Sequence, residues 1–147
     1  MAKFTFRLQS YLGVKEQMEE LKKNEYGMAM RRLEEERQKK EALEQEVVQN
    51  VLFFKEALGT SIEPVEIRRY NNRIEILKTW IVQQKERVEA AAKYAEEKRL
   101  ELVEAMKDRK ALETVKERNY EEYLKDEQKA ERVVVDGIVS YQYSNVR

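Results

Sequence analysis

A heptad stripe between Ile67 and Ala105 constrains this chain more than any other feature of its sequence. Its members are spaced alternately three and four residues apart, and every second member is apolar. They are Ile67, Tyr70, Ile74, Leu77, Ile81, Gln84, Val88, Ala91, Ala95, Lys98, Leu102 and Ala105. Such a narrow stripe cannot line a globular core, but it can bury a seam against another helix, as in a coiled coil. The stripe therefore requires a partner helix.

The composition is typical of long, charged helices. Charged residues make up 39% of the 147 residues, and the chain has four glycines and one proline. Disorder is the alternative for such a composition, but a disordered segment would lack the stripe. The 29 basic side chains balance the 29 acidic ones. We therefore expect no nucleic-acid partner, because no net field attracts the chain to a polyanion.

The residue types on which most active sites depend are missing. The chain contains no cysteine and no histidine, which excludes disulfides, the usual zinc sites and histidine acid–base catalysis. The glycines are scattered and form no phosphate-binding loop. We therefore expect no enzyme, no catalytic residue, no metal and no cofactor. We also expect no signal peptide, because residues 1–7 begin no apolar run of signal-peptide length. We expect no direct membrane insertion, because no apolar run approaches the roughly 18 residues that a membrane span needs.

The only break in the helical pattern lies between Gly59 and Pro64. Gly59 suits the left-handed position after a helix end, Thr60 or Ser61 can cap a new helix, and Pro64 fits a first turn. A short connection predicts that the two helices fold back antiparallel. We predict a single domain, with a first helix over about 6–58, a turn over 59–66, a second helix over about 64–135 and a frayed tail over 136–147.

The first predicted helix carries a less regular apolar pattern than the second. The side chains expected to face the second helix are Leu8, Tyr11, Leu12, Val14, Met18, Leu21 and Met28, and then Leu43, Val47, Val51, Phe54 and Leu58. Residues 31–40 contain one apolar residue, Leu33, and we expect this section to be solvated and weakly packed. A basic patch is the alternative there, against which the interleaved glutamates argue. Gly27 is either a flexible joint or a tolerated glycine.

The second helix is predicted to be the longer one and to overhang the first. If the turn is centred near residue 62, residues whose numbers sum to about 125 lie opposite one another. Leu8, at the start of the first helix, then lies opposite Glu117, and the first helix reaches no further along the second. Tyr120, Tyr123 and Leu124 then lie beyond its reach. An apolar stripe without an intrachain partner suggests insertion into another protein or self-association.

Large aromatic side chains also gather near the predicted turn. They are Phe53, Phe54, Tyr70 and Trp80. Phe54 and Tyr70 fit the seam, whereas Phe53 and Trp80 precede seam positions and flank it. These rings either shield the edges of the seam or form a hot spot for a partner, since tryptophan and tyrosine dominate such sites.

Four short motifs carry a family resemblance. They are K-F-T-F-R-L-Q-S-Y-L-G-V-K-E at residues 3–16, Y-N-N-R-I-E-I-L at 70–77 with Ile81 and Gln84, D-R-K-A-L-E at 108–113 and E-Q-K-A at 127–130. In order and spacing they resemble the FliJ family, the small helical component of the flagellar type III export apparatus. The resemblance covers nearly the whole chain. Tyr11, Arg73 and Gly137 depart from the residues usual in that family.

The resemblance implies an antiparallel coiled-coil hairpin similar to the central-stalk γ subunit of rotary ATPases. It also implies three partners: the hexameric export ATPase, the membrane-embedded export gate and export chaperones. The expected location is the cytoplasm, peripheral to the cytoplasmic face of the inner membrane, and the expected state is a monomer.

Two sets of partner-binding residues follow from the family pattern. The set expected to contact the export gate is Leu43, Val47, Asn50, Phe54, Arg73, Leu77, Trp80 and Gln84. The set expected to enter the ATPase ring is Leu8, Leu12, Tyr120, Tyr123 and Leu124. A self-associating structural coiled coil is the alternative function, and a nucleic-acid-binding hairpin is a third, which the zero net charge disfavours.

Overall fold

The computed structural model describes residues 3–146, and its helices are α1 (Gln9–Leu58) and α2 (Pro64–Asn145). No strand occurs within that range. The two helices pack against each other, and α2, with 82 residues, is longer than α1, with 50. The predicted all-α pair of packed helices with a longer second member is therefore confirmed.

The connection between the helices lies where the sequence predicts it but closes differently. The N–H groups of Gly59 and Thr60 donate to the carbonyls of Glu56 and Ala57 at 3.1 and 3.2 Å, and the Thr60 hydroxyl donates to Ala57 at 3.0 Å. These short-range bonds satisfy the last carbonyls of α1. No described glycine has a positive φ, so the expected left-handed role of Gly59 is wrong. Glu63, whose carbonyl accepts from the Glu66 N–H at 3.0 Å, directly precedes α2.

The predicted stripe of α2 is the seam of the structure. Every one of its members is buried or half-buried, and Leu77, Gln84 and Ala95 are the most buried. The same spacing continues past Ala105 through the half-buried Arg109, Leu112 and Lys116. The heptad interpretation of α2 is therefore confirmed.

The seam of α1 agrees with the prediction at Leu43, Val47 and Phe54 in the second half of the helix and differs from it in the first half. The side chains that follow a heptad spacing and are buried or half-buried are Leu12, Lys15, Glu19, Lys22, Tyr26, Ala29, Leu33, Glu36, Lys40, Leu43, Val47, Asn50, Phe54 and Ala57. Of the residues expected at its start only Leu12 is buried, whereas Leu8, Tyr11, Val14, Met18, Leu21 and Met28 are exposed. Charged side chains occupy the seam instead because their alkyl stems lie along it while their heads pair at its edges.

Two compact units make up the chain, and the larger consists of Leu21–Leu102. Its core contains Ala29, Leu33 and Ala95, against which Val88, Ala91 and Ala92 pack. Leu33 and Glu36 are only 4% and 3% exposed, so the expectation of a weakly packed section at residues 31–40 is wrong. Small alanine side chains from both helices, Ala29 and Ala95, form this core together with Leu33.

The other unit combines Met1–Glu20 with Val103–Arg147. Phe6, which precedes α1, is buried together with Leu12. Ion pairs cross the seam from Lys15 to Asp108 at 3.6 Å and from Glu19 to Arg109. In this unit, ion pairs between α1 and α2 therefore take part of the role that apolar packing has in the larger unit.

The end of α2 corrects a further prediction. The helix continues to Asn145, so an end near residue 135 and a frayed tail from 136 are wrong for the described residues, and Arg147 lies outside them. A helix satisfies its backbone groups locally, and one glycine, Gly137, costs only about 1 kcal/mol against alanine. The side chains from residue 128 to 146 are all exposed.

Candidate partner-binding surfaces

The residues expected to contact the gate all lie in the larger unit, but the structure divides them by exposure. Leu77 and Gln84 are buried in the seam. Leu43, Val47, Asn50 and Phe54 are half-buried along its edge. Only Arg73 and Trp80 are exposed, Trp80 by 51%. A partner that docks on the folded chain can therefore reach Arg73 and Trp80 most directly.

Arg73 and Trp80 lie on a surface that the sequence predicts only in part, and we call it the Trp80 surface. The Arg73 guanidinium donates to the Glu46 carboxylate at 3.2 Å, which ties α2 to α1. A shallow depression beside it is lined by Glu46, Arg69, Asn72, Arg73, Ile76, Leu77 and Trp80. Ile76, half exposed, was not predicted, although its position directly before the seam residue Leu77 is the same signal that identified Trp80.

The aromatic cluster near the turn separates into seam and surface rings. Phe54 and Tyr70 pack across the seam with ring centroids 5.8 Å apart, as expected from their heptad positions. Phe53 is 62% exposed. The seam pair therefore anchors the two helices, whereas Phe53 and Trp80 present apolar area to solvent.

A polar layer interrupts the apolar seam of the larger unit. The Gln84 amide donates to the Glu36 backbone carbonyl at 2.9 Å and to the Glu36 carboxylate. Arg32 and Lys39 also pair with that carboxylate, at 3.2 and 3.8 Å. The Gln84 hydrogen bond lowers the pKa of the Glu36 carboxyl, and the nearby cations add to this. The sequence signal for the layer is Gln84, a polar residue in a stripe that is mostly apolar.

The residues expected to enter the ATPase ring lie in the other unit, and their exposure is also uneven. Leu8, Tyr120 and Leu124 are exposed by 42%, 46% and 43%, whereas Leu12 is fully buried. Tyr123 is half-buried. Leu12 is therefore not accessible to a partner and contributes only to the packing beneath the exposed residues of this set.

The expectation that Tyr120 and Tyr123 lie beyond any intrachain partner is wrong. The ring of Phe4 lies 5.2 Å from that of Tyr120 and 5.4 Å from that of Tyr123, and the two tyrosine rings are 6.3 Å apart. The residues before α1 extend along α2 and supply this contact. We call the cluster of Phe4, Tyr120 and Tyr123, with Leu8 and Leu124, the Tyr120 surface.

Two further apolar faces were not predicted as surfaces. On α1, Tyr11, Val14 and Met18 point away from the seam. On α2, Val134, Ile138 and Tyr141 follow one another at helical spacing and are exposed by 61%, 53% and 68%. The first face was missed because its residues were assigned to the seam, and the second because the tail was expected to fray.

Among the described residues, no group of acidic side chains is placed to hold a metal ion, and neither helix contains a stretch apolar enough to cross a membrane. Over residues 4–147 the chain is similar to a family model whose description is "Flagellar FliJ protein". No curated protein and no solved structure matches the chain.

Proposed function

Because this chain belongs to the FliJ family, it is a component of flagellar protein export, and we propose that it acts there as a non-enzymatic stalk between two partners. One partner is the hexameric export ATPase and the other is the membrane-embedded export gate. The chain works in the cytoplasm, peripheral to the membrane, and assists the delivery of export chaperones and their cargo. The observation that carries the proposal is the family match along both helices, including both exposed aromatic surfaces.

The Tyr120 surface is proposed to bind the ATPase ring. It combines exposed leucines with a cluster of aromatic rings, and such side chains are typical of interface hot spots. The exposed α2 face of Val134, Ile138 and Tyr141 extends the apolar area available to the ring. ATP hydrolysis belongs to the ring, and this chain contributes contacts that change the rate of hydrolysis.

The Trp80 surface is proposed to bind the export gate. Trp80 and Arg73 contribute the exposed contacts, and the half-buried Leu43, Val47, Asn50 and Phe54 border them. Leu77 and Gln84 act indirectly, because they hold the two helices together beneath the surface. Binding through a few exposed aromatic and arginine side chains needs little rearrangement of the helices.

The test of the ring contact is stimulation of the purified export ATPase by the full chain. Leu8→Asp with Leu124→Asp should lower the stimulation about tenfold, because two charges then face an apolar contact. Val82→Asp is the matched control, since Val82 is 61% exposed in the other unit. Equal stimulation by the double variant and the parent chain would refute the assignment of the Tyr120 surface.

The test of the gate contact is binding to the purified cytoplasmic portion of the gate protein. Trp80→Ala should weaken binding by about tenfold or more, as expected for truncation of a hot-spot tryptophan. Tyr141→Ala removes a similarly exposed ring from the other unit and should leave the affinity unchanged. Circular dichroism checks that both variants keep their helix content. An unchanged affinity of the Trp80 variant would exclude this surface.

A further inference from the structure

A groove with an excess of positive charge runs between the helices of the larger unit. Its lining residues are Arg32, Glu36 and Lys39 from α1 and Arg87, Ala90, Ala91 and Tyr94 from α2. We call it the basic groove. It contains neither Arg73 nor Trp80 and none of the residues of the Tyr120 surface, so the proposed function leaves it without a role.

The charge of the groove follows from the burial of Glu36. Its carboxylate is withdrawn into the seam, where Gln84 donates to it and 3% of the residue remains exposed. The side chains of Arg32 and Lys39 are 69% and 62% exposed. With Arg87 from the facing helix, three cations surround one carboxylate that is already hydrogen-bonded. The neighbouring Glu34 and Glu35, which in sequence argue against a basic patch, do not line the groove.

The shape of the groove suits a helix. Ala90 and Ala91 are among its lining residues, and their small side chains allow a third backbone to approach closely. Tyr94 also lines the groove with 52% of its surface exposed, and the Lys98 ammonium lies 5.4 Å from the centroid of its ring. Arg32 and Lys39 lie two helical turns apart on α1, roughly 10 Å along its axis. Carboxylates seven residues apart on one face of a helix have the same spacing.

We propose that the basic groove binds an acidic helical segment of another protein. Two of its carboxylates, at positions i and i+7, pair with Arg32 and Lys39, and a third, at i+4, pairs with Arg87 across the groove. Small apolar residues of the segment lie on Ala90 and Ala91. Charge complementarity selects this occupant, since Arg32, Lys39 and Arg87 share the single buried carboxylate of Glu36, and an acidic helix supplies the additional pairing that an uncharged helix lacks.

The binding test uses the full chain and two labelled peptides of about fifteen residues, a length at which alanine-rich helices are marginally stable. One peptide carries glutamates at i, i+4 and i+7 among alanines and leucines. The other has the same composition, with its glutamates distributed around the helix. Fluorescence anisotropy should give at least about tenfold tighter binding of the first peptide, and this binding should weaken as salt is added. Equal binding of the two peptides, or binding of neither, would overturn the proposal.

Substitutions in the chain test whether the acidic peptide binds in the basic groove. Arg87→Glu should weaken binding about tenfold or more, and Arg32→Gln should weaken it less, because it removes a charge without placing a new carboxylate beside Glu36. Arg68→Glu is the control, an identical charge reversal at an exposed position outside the groove lining. If Arg68→Glu weakens binding as much as Arg87→Glu, the attraction is nonspecific and the proposal fails. It also fails if a single-stranded oligonucleotide displaces the acidic peptide at a lower concentration than the unlabelled peptide does.

The groove variants Arg87→Glu and Arg32→Gln should still stimulate the export ATPase, since neither changes the Tyr120 surface. Loss of peptide binding with stimulation intact therefore assigns the groove to a third partner. Thermal unfolding by circular dichroism confirms that the variants fold as the parent chain does.

Discussion

Glu36 and Gln84 meet in the middle of the seam and fix which residues of the two helices lie opposite each other. A slip of one heptad would place Glu36 beside Leu77 or Ala91 and leave a buried carboxylate without its amide donor. Fixing the alignment of helices is the best-attested role of a buried polar group in a coiled coil. We infer that this layer sets the register of the larger unit, whereas the apolar positions around it supply the stability.

Acid should weaken the fold partly through Glu36. Its pKa is lowered from the ordinary value of 4.5, first by the Gln84 hydrogen bond and then by the nearby cations. The resulting stability is fully present above the ordinary pKa and is lost as the pH falls through the lowered, folded-state pKa. Glu36→Gln should therefore flatten the decrease in unfolding free energy below about pH 4.5.

Urea unfolding followed by circular dichroism at a series of pH values measures this effect. Glu35→Gln, an identical change on the exposed surface of the same helix, is the control. If both variants keep the parent's decrease at low pH, Glu36 does not contribute to the acid sensitivity.

Leu77 should contribute more to stability than any exposed leucine does. It is 2% exposed and belongs to the confirmed stripe of α2. Leu77→Ala should lower the unfolding free energy by about 2 kcal/mol or more, through lost burial and the cavity left behind. Leu52→Ala, at a position 55% exposed, should change it by less than about 0.5 kcal/mol. Urea unfolding compares the two, and equal losses would contradict the assignment of Leu77 to the seam.

At the scale of the helices, the seam of α2 could be predicted from sequence, whereas that of α1 could be predicted only in its second half, at Leu43, Val47 and Phe54. The stripe of α2 contains Ile74, Ile81 and Val88, so hydrophobicity marks it directly. The seam of α1 contains Lys15 and Lys22, whose partners lie far away in sequence on α2. In the first half of α1 the apolar residues therefore indicate the wrong face, because the charged side chains that fill the seam are recognisable only once the facing helix is in place.

The surfaces also divide into those that could be predicted from the sequence and those that could not. The exposure of Trp80 followed from its position beside Ile81, which is a local property of one helix. The contact between Phe4 and Tyr120 depends on the path of the residues before α1, which no periodicity describes. The basic groove depends on Glu36 turning inward, and that in turn depends on Gln84 from the other helix.

A substitution at Gly27 tests whether this glycine is a flexible joint in α1 or is merely tolerated there. It lies inside the helix, and a Cβ built on it meets no heavy atom within 4 Å. Gly27→Ala should raise the unfolding free energy by up to about 1 kcal/mol, because alanine is the better helix former. Gly59→Ala should gain less, since its Cβ would lie 3.3 Å from the Glu56 carbonyl. If Gly27 acts as a joint, its variant will be more stable and yet stimulate the export ATPase less, which urea unfolding and the ATPase assay distinguish.

At the scale of the whole molecule, the partner helix that the stripe requires comes from the same chain. We therefore expect a monomer at micromolar concentration, which sedimentation equilibrium measures directly. The exposed faces of Tyr11, Val14 and Met18 on α1, and of Val134, Ile138 and Tyr141 on α2, are where a second copy would bind. A dimer that Val134→Asp or Val14→Asp dissociates would favour the alternative of a self-associating structural protein.

The charged seam of the smaller unit has a consequence for its local stability. Lys15, Glu19 and Arg109 occupy seam positions there, and Lys15 and Arg109 also pair with Asp108 and Glu113 beside the seam. Ion pairs at a partly exposed seam contribute little, so we expect the free energy of local opening there to be smaller than for the larger unit. Backbone amides near Leu12 and Leu112 should then exchange with deuterium sooner than those near Leu33 and Leu77. Where the seam opens at low free energy, α1 and α2 separate locally and expose a surface to another chain. Higher ionic strength should make this local separation more frequent, because it screens the ion pairs.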